Sequence, residues 1–417
     1  MIASSKKRKD NIKRDKQYYK FCLYGFLKNL RFFEPFLILF FVSNGLSFFE
    51  IGILYAIREI SINIFEIPSG IFADTFGRRK TLAFSFLIYI TAFIIFYFGY
   101  DFALFALGMI MYALGDAIRS GINKAMIIEY LKRTEQLRYK VNYYGHTRSW
   151  SQIGSALSSL IGGILVFYNQ NLDAIFLFSI FPHLLDFFNV LSYPSYLDEN
   201  IKQSDSPVES LKITLKVFWD VLRKKELLKI LINVSIYSGY YKSIKDFIQP
   251  FLKSLIVQLP ILLFLTEYQK VGLFIGLVYF FIFLSNSYAS RKASLFAGYF
   301  STLPKFLNYT LFIGITFGLL SGFIMEYLSS VWVIILFVIV LFIENSRKPS
   351  GVALITEKSN ETVNASVISV SSQLASVFSA IFVITIGYLA DILGVGFAIA
   401  GISFLILLLS PLINLKK

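Results

Sequence analysis

Apolar stretches of about 20 residues, the length that crosses a bilayer as a helix, recur along nearly all of this 417-residue chain. Short polar gaps separate them. That feature excludes most folds, because only helices and closed barrels satisfy their own backbone inside hydrocarbon. Mean hydropathy is +0.65 and 56% of residues are hydrophobic, more than a soluble surface of this size would carry. The stretches lie near 21–43, 50–72, 81–99, 102–131, 141–167, 172–194, 226–252, 270–290, 306–326, 331–357, 363–390 and 395–414. The chain is expected to be an all-α membrane protein with twelve transmembrane helices.

Charge gives the orientation. The 40 Lys and Arg outnumber 26 Asp and Glu, for a net charge of +14. In a soluble protein this would suggest nucleic acid, but no nucleic-acid-binding pattern is present and no such partner is expected. Membrane proteins keep Lys and Arg on the cytoplasmic side. Here basic residues crowd the N-terminus, the turn at Arg78, Arg79 and Lys80, and the turn from Lys132 to Lys140. They return in the 195–225 linker, at Arg291 and Lys292, and at Lys416 and Lys417. The alternate loops near 44–49, 100–101, 168–173, 327–330 and 391–394 have none. Both termini and the linker are therefore placed in the cytoplasm, and the chain in a cytoplasmic membrane. Lys253 and Lys270 run against the pattern. The basic N-terminus leads into a long, charge-bearing apolar run, read as a retained first helix and not a signal peptide.

Several chemistries are excluded. With one cysteine, Cys22, and two histidines, His146 and His183, neither an internal disulfide nor a Cys or His metal site is expected. There is no phosphate-binding Gly-x-x-x-x-Gly-Lys-Ser/Thr motif, which argues against an ATP-driven pump. His183 and Asp186 share a helix face at i, i+3 and are read as a mutually satisfied structural pair. No catalytic constellation, metal or cofactor is expected.

The linker divides the chain into residues 1–195, a segment 196–225 and residues 226–417. Apolar residues at Val208, Leu211, Leu215, Phe218 and Leu222 predict an amphipathic surface helix in the middle segment. The flanking parts echo each other. Glu34-Pro35-Phe36-Leu37 matches Gln249-Pro250-Phe251-Leu252, and Gly52-Ile-Leu-Tyr55 matches Gly276-Leu-Val-Tyr279. Asp116-x-x-Arg119 matches Glu344-x-x-Arg347, and Gln152-Ile-Gly-Ser matches Gln373-Leu-Ala-Ser. The matches keep their order, at offsets of 215 to 228 residues. A duplicated unit of six helices explains them, giving two pseudo-symmetric bundles related by an axis along the membrane normal.

The sequence Gly70-Ile-Phe-Ala-Asp74-Thr-Phe-Gly77-Arg78-Arg79-Lys80 resembles the cytoplasmic signature loop of the major facilitator superfamily. Glu66-Ile-Pro68-Ser-Gly70, just before it, is similar as well. The resemblance implies the superfamily's fold and a secondary transporter. It also implies that Asp74, Arg78 and Glu129 latch the halves in the outward-facing state. The loop's physics is readable alone: Gly77 permits a tight turn, and Asp74 can accept from exposed backbone N–H groups at a helix end. The equivalent loop at Arg291-Lys292 lacks the Gly and Asp. The fifth span offers Gly154 and Gly162-Gly163 without the Gly-Pro pattern of many proton antiporters.

Ionisable residues inside spans are costly and are functional candidates by default. By depth these are Arg31 and Glu34, Asp116 and Arg119, Arg148, Asp246 with Gln249, and Glu344 with Arg347. The superfamily resemblance places the first, fourth, seventh and tenth spans around a central cavity. The two acid–arginine pairs either line that cavity or neutralise each other to permit insertion. Gln152 and Gln373 are further cavity candidates. Glu59, Asn63 and Glu66 form another polar stripe, and the Ser151–Gly163 and Ser366–Ser379 runs read as close packing surfaces. The expected function is a monomeric secondary transporter of a small organic solute, working by alternating access in contact with membrane lipids. Protons are a candidate coupling partner. A non-transporting receptor or lipid scramblase on the same scaffold is the alternative.

Overall fold

The computed structural model describes residues 13–198, 224–260, 263–328, 330–359 and 364–415. The amphipathic linker helix falls almost wholly outside them. Every regular element among the described residues is helical. The N-terminal set comprises α1 (Lys16–Leu27), α2 (Leu37–Ser43), α3 (Phe48–Phe76), α4 (Arg78–Phe98), α5 (Phe102–Arg119), α6 (Ile122–Arg133), α7 (Lys140–Asn169) and α8 (Ala174–Leu191). The C-terminal set comprises α9 (Lys225–Ile244), α10 (Ile248–Gln258), α11 (Glu267–Arg291), α12 (Ala293–Gly298), α13 (Leu303–Tyr327), α14 (Trp332–Lys358), α15 (Asn364–Leu393) and α16 (Val395–Leu409). Among the described residues, seven helical segments are long and apolar enough to cross a membrane on length and composition, so the chain is a multi-pass membrane protein.

Three stretches expected as single helices are broken. The first stops at Leu27 and resumes through a short 3-10 turn, Glu34–Phe36, into α2. Pro35 lacks a backbone donor and disfavours helix at the preceding residue. The seventh breaks at 245–247, just before Pro250. The fourth breaks at Ser120 and Gly121. Gly121 has φ +76°, a conformation that a side chain would strain.

The internal echo extends into the caps. Ser47 and Glu50 close a reciprocal capping box on α3, and Thr266 and Gln269 close the same box on α11. Each box satisfies orphan donors of a helix entering the membrane.

Within the N-terminal set, α4 packs on α5 and α8, α3 on α5, and α1 on α7. Phe33, Phe93, Tyr112 and Phe176 form an aromatic core there. Within the C-terminal set, α9 packs on α14 and α15, and α13 on α14 and α16. Large exposed residues such as Phe281, Phe312, Ile381 and Leu408 mark outward, lipid-compatible surfaces.

The two sets meet along α3 with α15 and α7 with α11. A Cβ on Gly163 would collide with the Gly272 carbonyl, and one on Gly387 with that of Phe48. These bare-backbone approaches lie at the end carrying the 44–47, 170–173 and 394 turns, where Asp391 also crosses over. Its carboxylate accepts hydrogen bonds from the backbone N–H of Phe48 and of Phe49, both at 2.8 Å. It thus caps α3 from the opposite set. Asn63 Nδ2 to the Gln373 carbonyl, at 3.5 Å, is a further crossing bond. Among the described residues, none crosses nearer the Gly77 end. There α3 shows exposed Ile64 and Phe76. The contacts between the sets are thus concentrated at one end and at mid-depth.

Candidate functional site

Polar side chains gather midway along the helices, where the two sets face each other. The helix breaks put them there. In the first break, Arg31 Nη2 reaches Asp116 Oδ1 of α5 at 3.3 Å. Arg119, one turn along α5, meets the same oxygen at 2.8 Å. Tyr89 of α4 donates its hydroxyl to that oxygen at 2.5 Å and accepts from Arg119 Nε at 3.0 Å. Each of the three charged side chains keeps 17–19% of its surface exposed, so this cluster borders open space.

The counterpart in α14 is arranged differently. Glu344 and Arg347 have the same spacing but do not pair. Glu344 accepts from the Ser238 hydroxyl at 2.5 Å. Arg347 turns away, donating to the Leu307 carbonyl, to Thr310 Oγ1 at 2.8 Å and to Asn233 Oδ1 at 3.0 Å, with its guanidinium over Tyr237. The two residues are only 4% and 2% exposed. Helical spacing puts both on one face, but neighbouring helices supply neutral acceptors that outcompete the carboxylate for the long Arg347 side chain. Glu344 and Arg347 thus form no ion pair with each other.

Glu34 and Gln249, matched positions in the repeat, meet directly. Gln249 Nε2 donates to the Glu34 carbonyl at 3.0 Å, and its Oε1 accepts from Ile38 N–H at 2.9 Å. One side chain thus supplies partners to the broken backbone of the first helix, a need that water would otherwise fill. Lys245 bonds Glu34 Oε1 at 2.9 Å and lies 3.7 Å from Asp246, whose Oδ2 accepts from the Tyr55 hydroxyl at 3.1 Å. Lys242 bonds Glu59 at 2.7 Å and Ser376 at 3.0 Å, and Arg58 meets Glu59 at 3.2 Å. These contacts tie the sets together at mid-depth.

Arg148 and Gln152 of α7 line a separate polar cavity of about 150 Å3 with Lys28, Asn29, Asn123, Thr147 and Ser151. Gln373 contributes its backbone carbonyl to Asn63, as described. The packing runs behave as expected: Gly154 abuts the Phe26 carbonyl and Gly162 that of Phe32, while Ser235 bonds Ser371. His183 and Asp186 do not pair. His183 bonds the Ser179 carbonyl at 2.8 Å among Phe86, Tyr89 and Phe93, and Asp186 accepts from Asn189 at 3.0 Å.

At the signature loop, Gly77 has φ +90°, as the tight turn requires. Gly70 and Asp74 lie in the last turns of α3. Arg79 closes the turn: its N–H donates to Asp198 Oδ1 at 2.6 Å, its Nε sits 3.1 Å from Oδ2, and its Nη1 bonds the Tyr193 carbonyl at 2.9 Å. Glu129 pairs with Arg133 at 3.1 Å. Arg78 makes no ion pair among the described residues.

Lys28, Arg58, Tyr89, Lys242 and Lys245 were not singled out from the sequence. Lys242, Lys245 and Gln249 stand at i, i+3 and i+7, a helical spacing in the sequence, although the helix itself breaks at 245–247. Tyr89 gave no such signal, because one hydroxyl on an apolar helix looks like packing.

A sequence model of the Major Facilitator Superfamily matches residues 22–377. The chain belongs to the Major Facilitator Superfamily. A curated superfamily relative is an uncharacterised MFS-type transporter, YxaM, of Bacillus subtilis (strain 168), 29% identical over 235 residues. That alignment covers 54% of this chain and 55% of the relative, so the chain spans about half the length of the curated relative it matches. Among superfamily-like solved structures, the nucleoside transporter NupG superposes with a TM-score of 0.78 at 14% identity, over 97% of this chain and 100% of that one. A bacterial homologue of the human lysosomal transporter Spinster gives 0.72 at 12%, over 95% and 96%. The peptide transporter POT gives 0.68 at 15%, over 96% of each. At these identities the likeness shows the fold.

Proposed function

We propose that this superfamily member is a secondary transporter moving a small organic solute across the cytoplasmic membrane by alternating access. The observation that carries the reading is the confinement of crossing contacts to one end and mid-depth of the helices, with charged groups exposed beside the gap. A solute entering from the separated end meets the Arg31–Asp116–Arg119 cluster, and rocking the sets about the mid-depth ties would open the other end.

Joining α1 to α2, α5 to α6 and α9 to α10, and leaving the short α12 aside, gives twelve spans in two bundles of six, with the segment 196–225 between them. With both termini in the cytoplasm, the closed end is external. Asp391 then latches the external gate. Asp74, Arg78 and Glu129 serve the opposite, outward-facing state. Glu344 is the proposed carrier of a coupling proton, because among the described residues it has no cationic partner in contact. Asp116 is unsuited, gripped by two guanidinium groups and a tyrosine.

Purified protein in phosphatidylcholine and phosphatidylglycerol liposomes tests this. Counterflow of a labelled solute, from a panel of organic acids, amino acids, nucleosides and peptides, is expected for at least one class. Absence of exchange and of pH-gradient-driven uptake across the panel would count against transport. Headgroup exchange of labelled lipid without solute movement would establish a scramblase instead.

A further inference from the structure

Three membrane-depth cations near the gap lack a carboxylate partner among the described residues: Lys28, Arg148 and Lys348. The other mid-depth cations beside the gap, Arg31, Arg58, Arg119, Lys242 and Lys245, each have one. Lys28 and Arg148 line the same cavity, between α1, α6 and α7. Lys348 comes from the opposite set. It is exposed, and its electrostatic neighbours include Glu344 of its own helix and Arg148 of the opposite set. Lys28 lies over the Tyr24 ring at 4.9 Å, within the field of Arg31 and Arg119 and also of Asp186 and Asp116.

Cations at membrane depth that have no carboxylate in contact are costly and are functional candidates by default. The cavity's volume of about 150 Å3 suits one acidic group, not a whole solute. Asn29, Thr147, Ser151 and Gln152 add hydrogen-bonding groups around it. Asn123 also lines it, and its Oδ1 is buried without a partner, leaving an acceptor free for a ligand's own donor.

We propose that this cavity is an anion subsite, holding the carboxylate or phosphate of the transported solute between Lys28 and Arg148. The solute is then an organic anion with a hydroxyl or acidic proton beside its charge, the donor that Asn123 accepts. Lys348 meets the same anion from the other set when the halves approach, so cargo charge helps to close the separated end. The solute's passage rests on the transporter reading above, but occupancy of the subsite can be measured without transport.

The native thiol, Cys22, is buried and is removed as Cys22→Ser. Gln152→Cys then puts a reporter thiol in the cavity. Its reaction with a negatively charged sulfonatoethyl thiosulfonate is compared with that of the positively charged trimethylammonium analogue. The expected ratio, normalised to free thiol, favours the anion at least tenfold, about 1.4 kcal/mol. Lys28→Met or Arg148→Gln should each cut it severalfold, and together bring it to unity. Inorganic phosphate should slow labelling saturably, while chloride at equal ionic strength should not.

Equal rates for the two reagents, or a ratio indifferent to Lys28→Met and Arg148→Gln, would overturn the proposal. So would protection by phosphatidylglycerol but not by phosphate, which would make the occupant a lipid headgroup. Transport of a neutral or cationic solute, unaffected by both substitutions, would remove the subsite and leave the transporter reading standing. Phosphate protection without any transport would do the reverse.

Discussion

The N-terminal and C-terminal sets carry the same acid-x-x-arginine pattern at matched positions and use it in opposite ways. Asp116 and Arg119 stay together, joined by Arg31 and Tyr89, at the edge of the gap. Glu344 and Arg347 separate, and Arg347 is sunk among α9, α13 and α14. The difference comes from neighbours, not spacing. Beside Arg119 stands a tyrosine hydroxyl that itself bonds Asp116, so arginine, tyrosine and carboxylate close into one cluster. Beside Arg347 stand Thr310, Asn233 and a backbone carbonyl, which satisfy the guanidinium away from the acid. A duplicated scaffold can thus keep one copy of a charged pair together at the interface between the sets and turn half of the other into structural glue.

This contrast breaks most visibly under arginine removal. Arg119→Ala should lower uptake per folded molecule at least tenfold, about 1.4 kcal/mol, with little change in melting temperature. Arg347→Ala should do the opposite. It strands buried acceptors, at a cost of about 2 kcal/mol, and should lower the melting temperature of the detergent-solubilised protein while surviving molecules still transport. Uptake normalised to monodisperse protein separates the two. Equal effects on both readouts would erase the distinction between the sets.

A smaller effect is expected at the acid. Glu344→Gln should keep solute exchange and lose accumulation driven by a pH gradient, whereas Asp116→Asn should impair both. Loss of exchange in Glu344→Gln would place Glu344 with the solute and make the two acids equivalent after all. Smaller still is the gate. Asp391→Asn weakens two charge-assisted bonds to α3, a change of about 1–2 kcal/mol. It should leave stability nearly unchanged and raise the population open at the external end, read from the distance between labels at Ser43 and Ile392.

Much of this was legible in the sequence for clear reasons. Apolar run lengths and loop charges report the bilayer directly, so the helices fall close to where they were expected. The breaks near Pro35, Gly121 and Pro250 are not among the sequence expectations, which run each stretch as one helix. A broken helix leaves backbone groups to be satisfied, and Gln249 reaches from the other set to do so. Asp116 and Arg119 could be found from spacing because both lie on one helix. Tyr89, Lys245 and Asp391 act across helices, and no periodicity within one segment reports such a partner. The separation of Glu344 from Arg347 was illegible for the same reason.

Alternating access requires the two sets to rock, closed at one end when open at the other. Spin-label distances in a Cys22→Ser background test it most directly, with one pair at Ser43 and Ile392 and another at Lys132 and Glu357. The first pair spans the end where Asp391 joins the sets, and the second spans the Gly77 end. Alternating access predicts two populations in liposomes, in which the Ser43–Ile392 distance lengthens as the Lys132–Glu357 distance shortens, with Asp391→Asn shifting the balance toward the former. Distances that stay fixed at both ends, in the parent and in Asp391→Asn, or that lengthen together, would contradict it.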